Sequence, residues 1–141
     1  MDKRISARGI IIEDDCVYAI YRRKKLPDRI KEWYSTPGGG VESGESPQQA
    51  VIRELNEELS VDVEIIDLLD IKWEEKNIVF LFNCRIINGT PKLGGPELEN
   101  NCEDNIYEIQ KIKISELDND AIDISYKDLI RKSADNFKAI Q

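Results

Sequence analysis

Residues 46–59 constrain the fold more than any other part of the chain. Ser46 is a good N-cap, Pro47 falls at the first helical position, and Gln49 completes a Ser-x-x-Gln capping box. The spacing predicts a helix over 46–59. Wound at about 100° per residue, it gathers Val51, Ile52, Leu55 and Leu59 on one side. Glu54, Glu57 and Glu58, spaced i, i+3, i+4, gather roughly 120° away. A helix with one apolar side needs a surface to lie on, and the rest of the chain offers strands.

Residues 5–12 and 16–21 are rich in β-forming types, with Glu13-Asp14-Asp15 between them, and read as a hairpin. Trp33-Tyr34-Ser35-Thr36 reads as a short strand, and Pro37-Gly38-Gly39-Gly40 as a loop. Residues 61–73 and 78–87 read as strands joined by a turn at 74–77. Residues 88–105 form a long loop rich in Gly, Pro and Asn. A strand follows at 106–114 and a closing helix at 125–137. Strands flanking two helices make a mixed α/β domain. At 141 residues the chain has the length of one domain, residues 1–141.

Composition narrows the chemistry. There is no histidine, so Ser-His-Asp and Cys-His catalysis and His-ligated zinc are excluded. Twenty Lys and Arg stand against 28 Asp and Glu, a net charge of −8. That balance argues against general nucleic-acid binding and against anionic membranes. Cys16, Cys84 and Cys102 are far apart and form no CxxC pair, which disfavours a disulfide framework. No apolar run is long enough for a signal peptide or a membrane span, so a reduced, cytoplasmic setting is expected.

The three helical glutamates allow two readings. One is a solvated acidic face. Yet like charges at i, i+4 weaken a helix, and Glu57 and Glu58 lie in the last turn, where the helix dipole disfavours anions. The other is a site for a hard divalent cation, since Mg²⁺ takes carboxylate oxygens and keeps substrate phosphates as further ligands.

The neighbouring residues decide between them. Gly39, Glu45, Arg53-Glu54-Leu55, Glu57-Glu58 and Val61 match eight of the nine defined positions of Gly-x5-Glu-x7-Arg-Glu-apolar-x-Glu-Glu-x-Gly-apolar. Residues 39–61 thereby resemble the signature box of the Nudix hydrolases, the MutT-like pyrophosphohydrolases. The resemblance implies a Nudix-type α/β/α sandwich with a mixed central sheet. It implies that Glu54, Glu57 and Glu58 bind the cation, Mg²⁺ with Mn²⁺ as a substitute. Gly39 lets backbone approach metal and phosphates, Glu45 supports the metal shell, and Arg53 holds the glutamates by salt bridges. The one departure is Ser60, where the family has Gly. The family residue ends the helix in a left-handed conformation, and Ser should cost about 1 kcal/mol there.

The general base is a box glutamate, Glu57 or Glu54, or a glutamate on the 88–105 loop. That loop offers Glu97, Glu99 and Glu103, with Glu97 favoured beside Gly94-Gly95-Pro96. Six of the 20 basic residues fall within residues 22–31. They are either a solvated loop or a phosphate clamp, with Arg23 the pick. Trp33 and Tyr34 either stack a base or pack in the core, and Phe82 and Asn83 either line the pocket or pack within a strand.

The implied reaction cuts a nucleoside diphosphate linked to a further group. A modified nucleoside triphosphate comes first, ADP-ribose or another nucleotide sugar next, and a capped or triphosphorylated RNA end third. The partner is a small-molecule nucleotide, and a homodimer is left open. The rival is a catalytically silent nucleotide-binding regulatory module.

Overall fold

In the computed structural model, Asp14 and Asp15 take positive φ, 54° and 59°, and close a two-residue hairpin turn. Such turns match the twist of antiparallel strands, and Asp tolerates the left-handed region. The structure describes residues 3–140, with side chains through Asn136; Met1 and Asp2 lie outside the described residues. Strands β1 (Arg4–Glu13), β2 (Cys16–Lys25), β3 (Ile30–Ser35) and β4 (Gly38–Gly40) precede helix α1 (Pro47–Leu59). Then come β5 (Asp62–Trp73), β6 (Asn77–Asn88), α2 (Gly95–Glu99), β7 (Asn105–Lys113), a 3₁₀ turn at Ile114–Glu116 and α3 (Lys127–Ile140).

The hairpin strands stay together only beside their turn. β1 and β2 pair at Ile12 with Val17 and at Glu13 with Cys16, and then splay. β1 turns to β6, in parallel from Arg4–Asn77 to Ile11–Cys84, and to β4. β2 turns to β3 and β7. The mixed sheet runs β3-β2-β1-β6-β5, with β4 on β1 and β7 on β2.

Alternation along β1 and β6 feeds two cores. Ala7, Ile11, Phe82 and Cys84 meet Val51, Leu55 and Leu59 of α1. Ile10 faces the other way, with Val17, Ala19, Ile112, Leu117 and Ile130 of α3. The result is an α/β/α sandwich. Among the described residues, no helix is long and apolar enough to cross a membrane.

The helix predicted over 46–59 is α1, and both halves of its capping box form. Five details differ from the sequence reading. Gly38–Gly40 is a strand rather than a loop, because side-chain-free backbone can lie against β1. A Cβ on Gly38 would come within 2.3 Å of the Ala7 carbonyl oxygen, at a φ of +147°. Arg22, Arg23, Lys24 and Lys25 belong to β2, paired on both sides for most of their length. The 88–105 loop contains α2. The last helix begins at Lys127 because Tyr126 has a φ of 68°. Ile52 is exposed while Glu58 is buried, because α1 turns its Glu58 side toward β4.

Candidate active site

The site is built where α1 passes β4. Gly38 donates its backbone N–H to Glu58 Oε2 at 2.9 Å, which holds a carboxylate only 6% exposed. One residue on, a Cβ at Gly39 would lie 2.7–2.8 Å from the Glu54 carboxylate. Glycine leaves the room that Glu54 occupies.

Arg53 ties the box together. Its Nε and Nη2 donate to Glu45 Oε2 and Oε1 at 2.7 and 2.9 Å, a two-pronged grip that fixes orientation as well as charge. Nη2 also reaches the Gly40 carbonyl at 3.1 Å. Nη1 donates to Glu54 Oε1 at 3.0 Å and Glu57 Oε2 at 3.3 Å. Glu45 in turn accepts the Glu42 N–H at 3.1 Å.

The carboxylates feel their surroundings unequally. The Arg53 bond, with help from the Glu42 N–H, holds Glu45 down at about 2. Burial raises Glu54, with Arg53 opposing and Glu57 and Glu97 adding. Burial pushes Glu58 up to about 8. The Gly38 N–H and Arg8 oppose that shift, while Glu97 and Glu54 reinforce it. Glu97, in α2, is thus close enough to act on both box glutamates. Its Oε2 is buried without a hydrogen-bond partner.

Among the described residues, no three carboxylates stand close enough to hold a metal ion as placed. Arg53 Nη1 takes one oxygen each of Glu54 and Glu57, which leaves Glu54 Oε2 and Glu57 Oε1 outside its grip and open to a cation. The donor set nevertheless suits a hard divalent cation: Glu54, Glu57 and Glu58 offer hard carboxylate oxygens, and Glu54 lies against a glycine whose Cβ would close the space.

Ser60 ends α1 with φ 59° and ψ 34°, the left-handed conformation expected of the family's glycine. Its hydroxyl donates to the Lys92 carbonyl at 2.9 Å.

A family model described as a NUDIX domain matches residues 3–131. The chain belongs to the Nudix family. Over 68 residues this Nudix chain is 40% identical to an 8-oxo-dGTP diphosphatase of Proteus vulgaris, covering 48% of the chain and 61% of the relative. Over 98 residues it is 33% identical to an ADP-ribose pyrophosphatase of Methanocaldococcus jannaschii, covering 64% and 55%. The Nudix chain thus spans little more than half the length of the curated relatives it matches. An ADP-ribose pyrophosphatase crystal structure from Streptococcus suis shares the fold with a TM-score of 0.67 at 15% identity, over 96% of this chain and 92% of that one.

The other expected residues of this Nudix domain are scattered. Trp33 lines a cleft of about 280 Å³ opened by the splay of β1 from β2. Arg4, Ser6 and Arg8 of β1 line it too, with Thr36 and Tyr126. Arg23 instead approaches Glu32 at 3.9 Å and lines a separate hollow with Glu103 and Asp104. Asn83 faces α3, where its Oδ1 accepts the Ser133 hydroxyl at 2.8 Å. Phe82 is core, and Glu99 and Glu103 are exposed. Sequence reasoning missed Arg4 and Arg8. Their signal was parity: Arg4, Ser6 and Arg8 alternate with Ile5 and Ala7, so one side of β1 is polar.

Proposed function

We propose that this Nudix chain is a divalent-cation-dependent hydrolase of a nucleoside diphosphate linked to a further group. It cuts the P–O–P bond and leaves a nucleoside monophosphate. The observation that carries the reading is the box cluster itself: Glu54 and Glu58 within electrostatic reach of the unpartnered Glu97 oxygen, beside Gly39. Nudix enzymes in general use divalent metal ions. Glu54, Glu57 and Glu58, with backbone at Gly39, would hold Mg²⁺, or Mn²⁺ in its place. When bound, the ion neutralises diphosphate oxygens and lowers the pKa of a water.

The chain's own residues do the rest. Arg53 orients Glu54 and Glu57, and Glu45 holds Arg53 in turn. The Gly38 N–H anchors Glu58. Glu97 takes the proton from the attacking water, since its free oxygen has no competing donor. Glu57 and Glu54 are the alternative bases. The cleft beside Trp33 receives the nucleoside, with an aromatic ring as one wall.

A modified nucleoside triphosphate, giving pyrophosphate as second product, is the first substrate to try. The 40% identity with an 8-oxo-dGTP diphosphatase supports it. ADP-ribose is next, on the longer match to an ADP-ribose pyrophosphatase. Three free thiols, Cys16, Cys84 and Cys102, suit a reducing, cytoplasmic setting.

The test is a nucleotide screen with Mg²⁺ on wild type and Glu57→Gln. Wild type should hydrolyse at least one nucleotide, and Glu57→Gln should lose that activity while keeping its fold. Equal rates would remove the metal assignment. A wild type that binds a nucleotide but cleaves none would point to the silent regulatory module.

A further inference from the structure

We infer that Ser60 is a positioning residue that fixes Glu97 against the box glutamates by tethering the loop that carries it. The inference rests on the hydrolase reading above. It starts from a mismatch. Ser60 sits in the left-handed region, at φ 59°, where glycine is unstrained and serine is not. What serine adds is a hydroxyl, and it is used: Ser60 Oγ donates to the Lys92 carbonyl at 2.9 Å.

That bond belongs to a seam. Lys92 N–H donates to the Leu59 carbonyl at 2.8 Å, and Gly94 N–H to the Glu58 carbonyl at 2.9 Å. Both acceptors are end carbonyls of α1, which have no partner within the helix. The loop lies flat on the helix end. A Cβ at Gly94 would come within 2.5 Å of the Glu57 carbonyl oxygen. Gly95 then turns with φ +63°, and a Cβ there would lie 3.7 Å from Glu97 Oε2. Glu97 follows in α2, a helix of five residues that is too short to hold its own position. Its placement beside Glu54 and Glu58 therefore depends on the seam. Two links are backbone to backbone and survive any side-chain change. The Ser60 link alone can be removed by substitution.

The experiment compares Ser60→Gly and Ser60→Ala with wild type in the full chain. The substrate is whichever nucleotide of the screen above, 8-oxo-dGTP and ADP-ribose first, the wild type hydrolyses. Ser60→Gly should melt no lower than wild type, because strain is relieved. Even so, kcat should fall about tenfold at unchanged KM, since a supporting contact to the reacting groups is lost. Ser60→Ala should show the same fall in kcat with a lower melting temperature. Without metal or substrate, amide hydrogen exchange at Lys92 and Gly94 should speed up about tenfold in both variants. In a Glu97→Gln background, Ser60→Gly should cost nothing further. An active wild type matched in kcat and exchange by Ser60→Gly overturns the tether. A wild type that hydrolyses no nucleotide in the screen above overturns the hydrolase reading instead.

Discussion

Arg53 grips Glu45 with two parallel hydrogen bonds, of 2.7 and 2.9 Å, while its remaining nitrogen reaches Glu54 and Glu57. One guanidinium thus sets the orientation of carboxylates before and within α1. Arg53→Lys keeps the charge but loses the fork, because an ammonium is a point donor. The Mg²⁺ concentration giving half-maximal activity should rise about 10–100-fold. A Mg²⁺ titration of the hydrolysis rate checks this. A variant with the wild-type Mg²⁺ requirement would show that the fork does not organise the site.

The same pair makes stability depend on acid. Glu45 is held at about 2, below its ordinary 4.5. Its contribution is therefore present above pH 4.5 and is lost as pH falls through 2. Glu45→Gln should be less stable than wild type at neutral pH, and the gap should close between pH 4.5 and 2. Denaturant melts at several pH values follow the difference. A gap that is constant with pH would mean the bond owes nothing to ionisation.

Adjacent glycines should fail in different ways. At Gly39 the three atoms nearest a new Cβ all belong to the Glu54 carboxylate, the far end of a side chain that can shift. Gly39→Ala should cost less than about 1 kcal/mol of stability. It should still lower kcat about 100-fold by displacing a reacting group. At Gly38 the obstacle is the Ala7 backbone, at φ +147°. Gly38→Ala should cost at least about 2 kcal/mol. Thermal melts and kcat on the two variants separate the cases, and an equally stable Gly38→Ala would contradict the packing of β4.

Cys84 and Cys102 should react very differently with a thiol reagent at pH 8. Burial pushes the Cys84 thiol up to about 12, while Cys102 is exposed. Native protein should label at Cys102 and be protected at Cys84 until it unfolds. Between pH 9 and 12 the folded chain keeps a proton at Cys84 that the unfolded chain has lost. Stability must therefore fall as pH rises through that window. Cys84→Ala should lose stability less steeply there. Parallel slopes would show that Cys84 does not titrate on unfolding.

What the sequence made legible was local. The α1 boundaries followed from Ser46, Pro47 and Gln49, and the left-handed turn at Ser60 from its place in the box. The burial of Glu58 was not legible, because it depends on the Gly38 N–H arriving from β4. Nor was the strand at residues 22–25. Four cations in a row look like loop, yet Arg22 lies 3.9 Å from the Tyr107 ring centroid and 5.0 Å from that of Trp33. Those rings shelter its charge on the sheet. Asn83 differs again: register against β1 decides which face it takes, and that register pairs residues more than 70 positions apart.

The divergence of β1 from β2 has a mechanical side. Two residue pairs beside the turn act as a spine, and the cleft is the gap between two opened pages. Ile12 and Val17, the pair that ends the ladder, set where the gap begins, far along the strands from Trp33. A change at the hairpin turn would act on the walls of the cleft without replacing a residue that lines it.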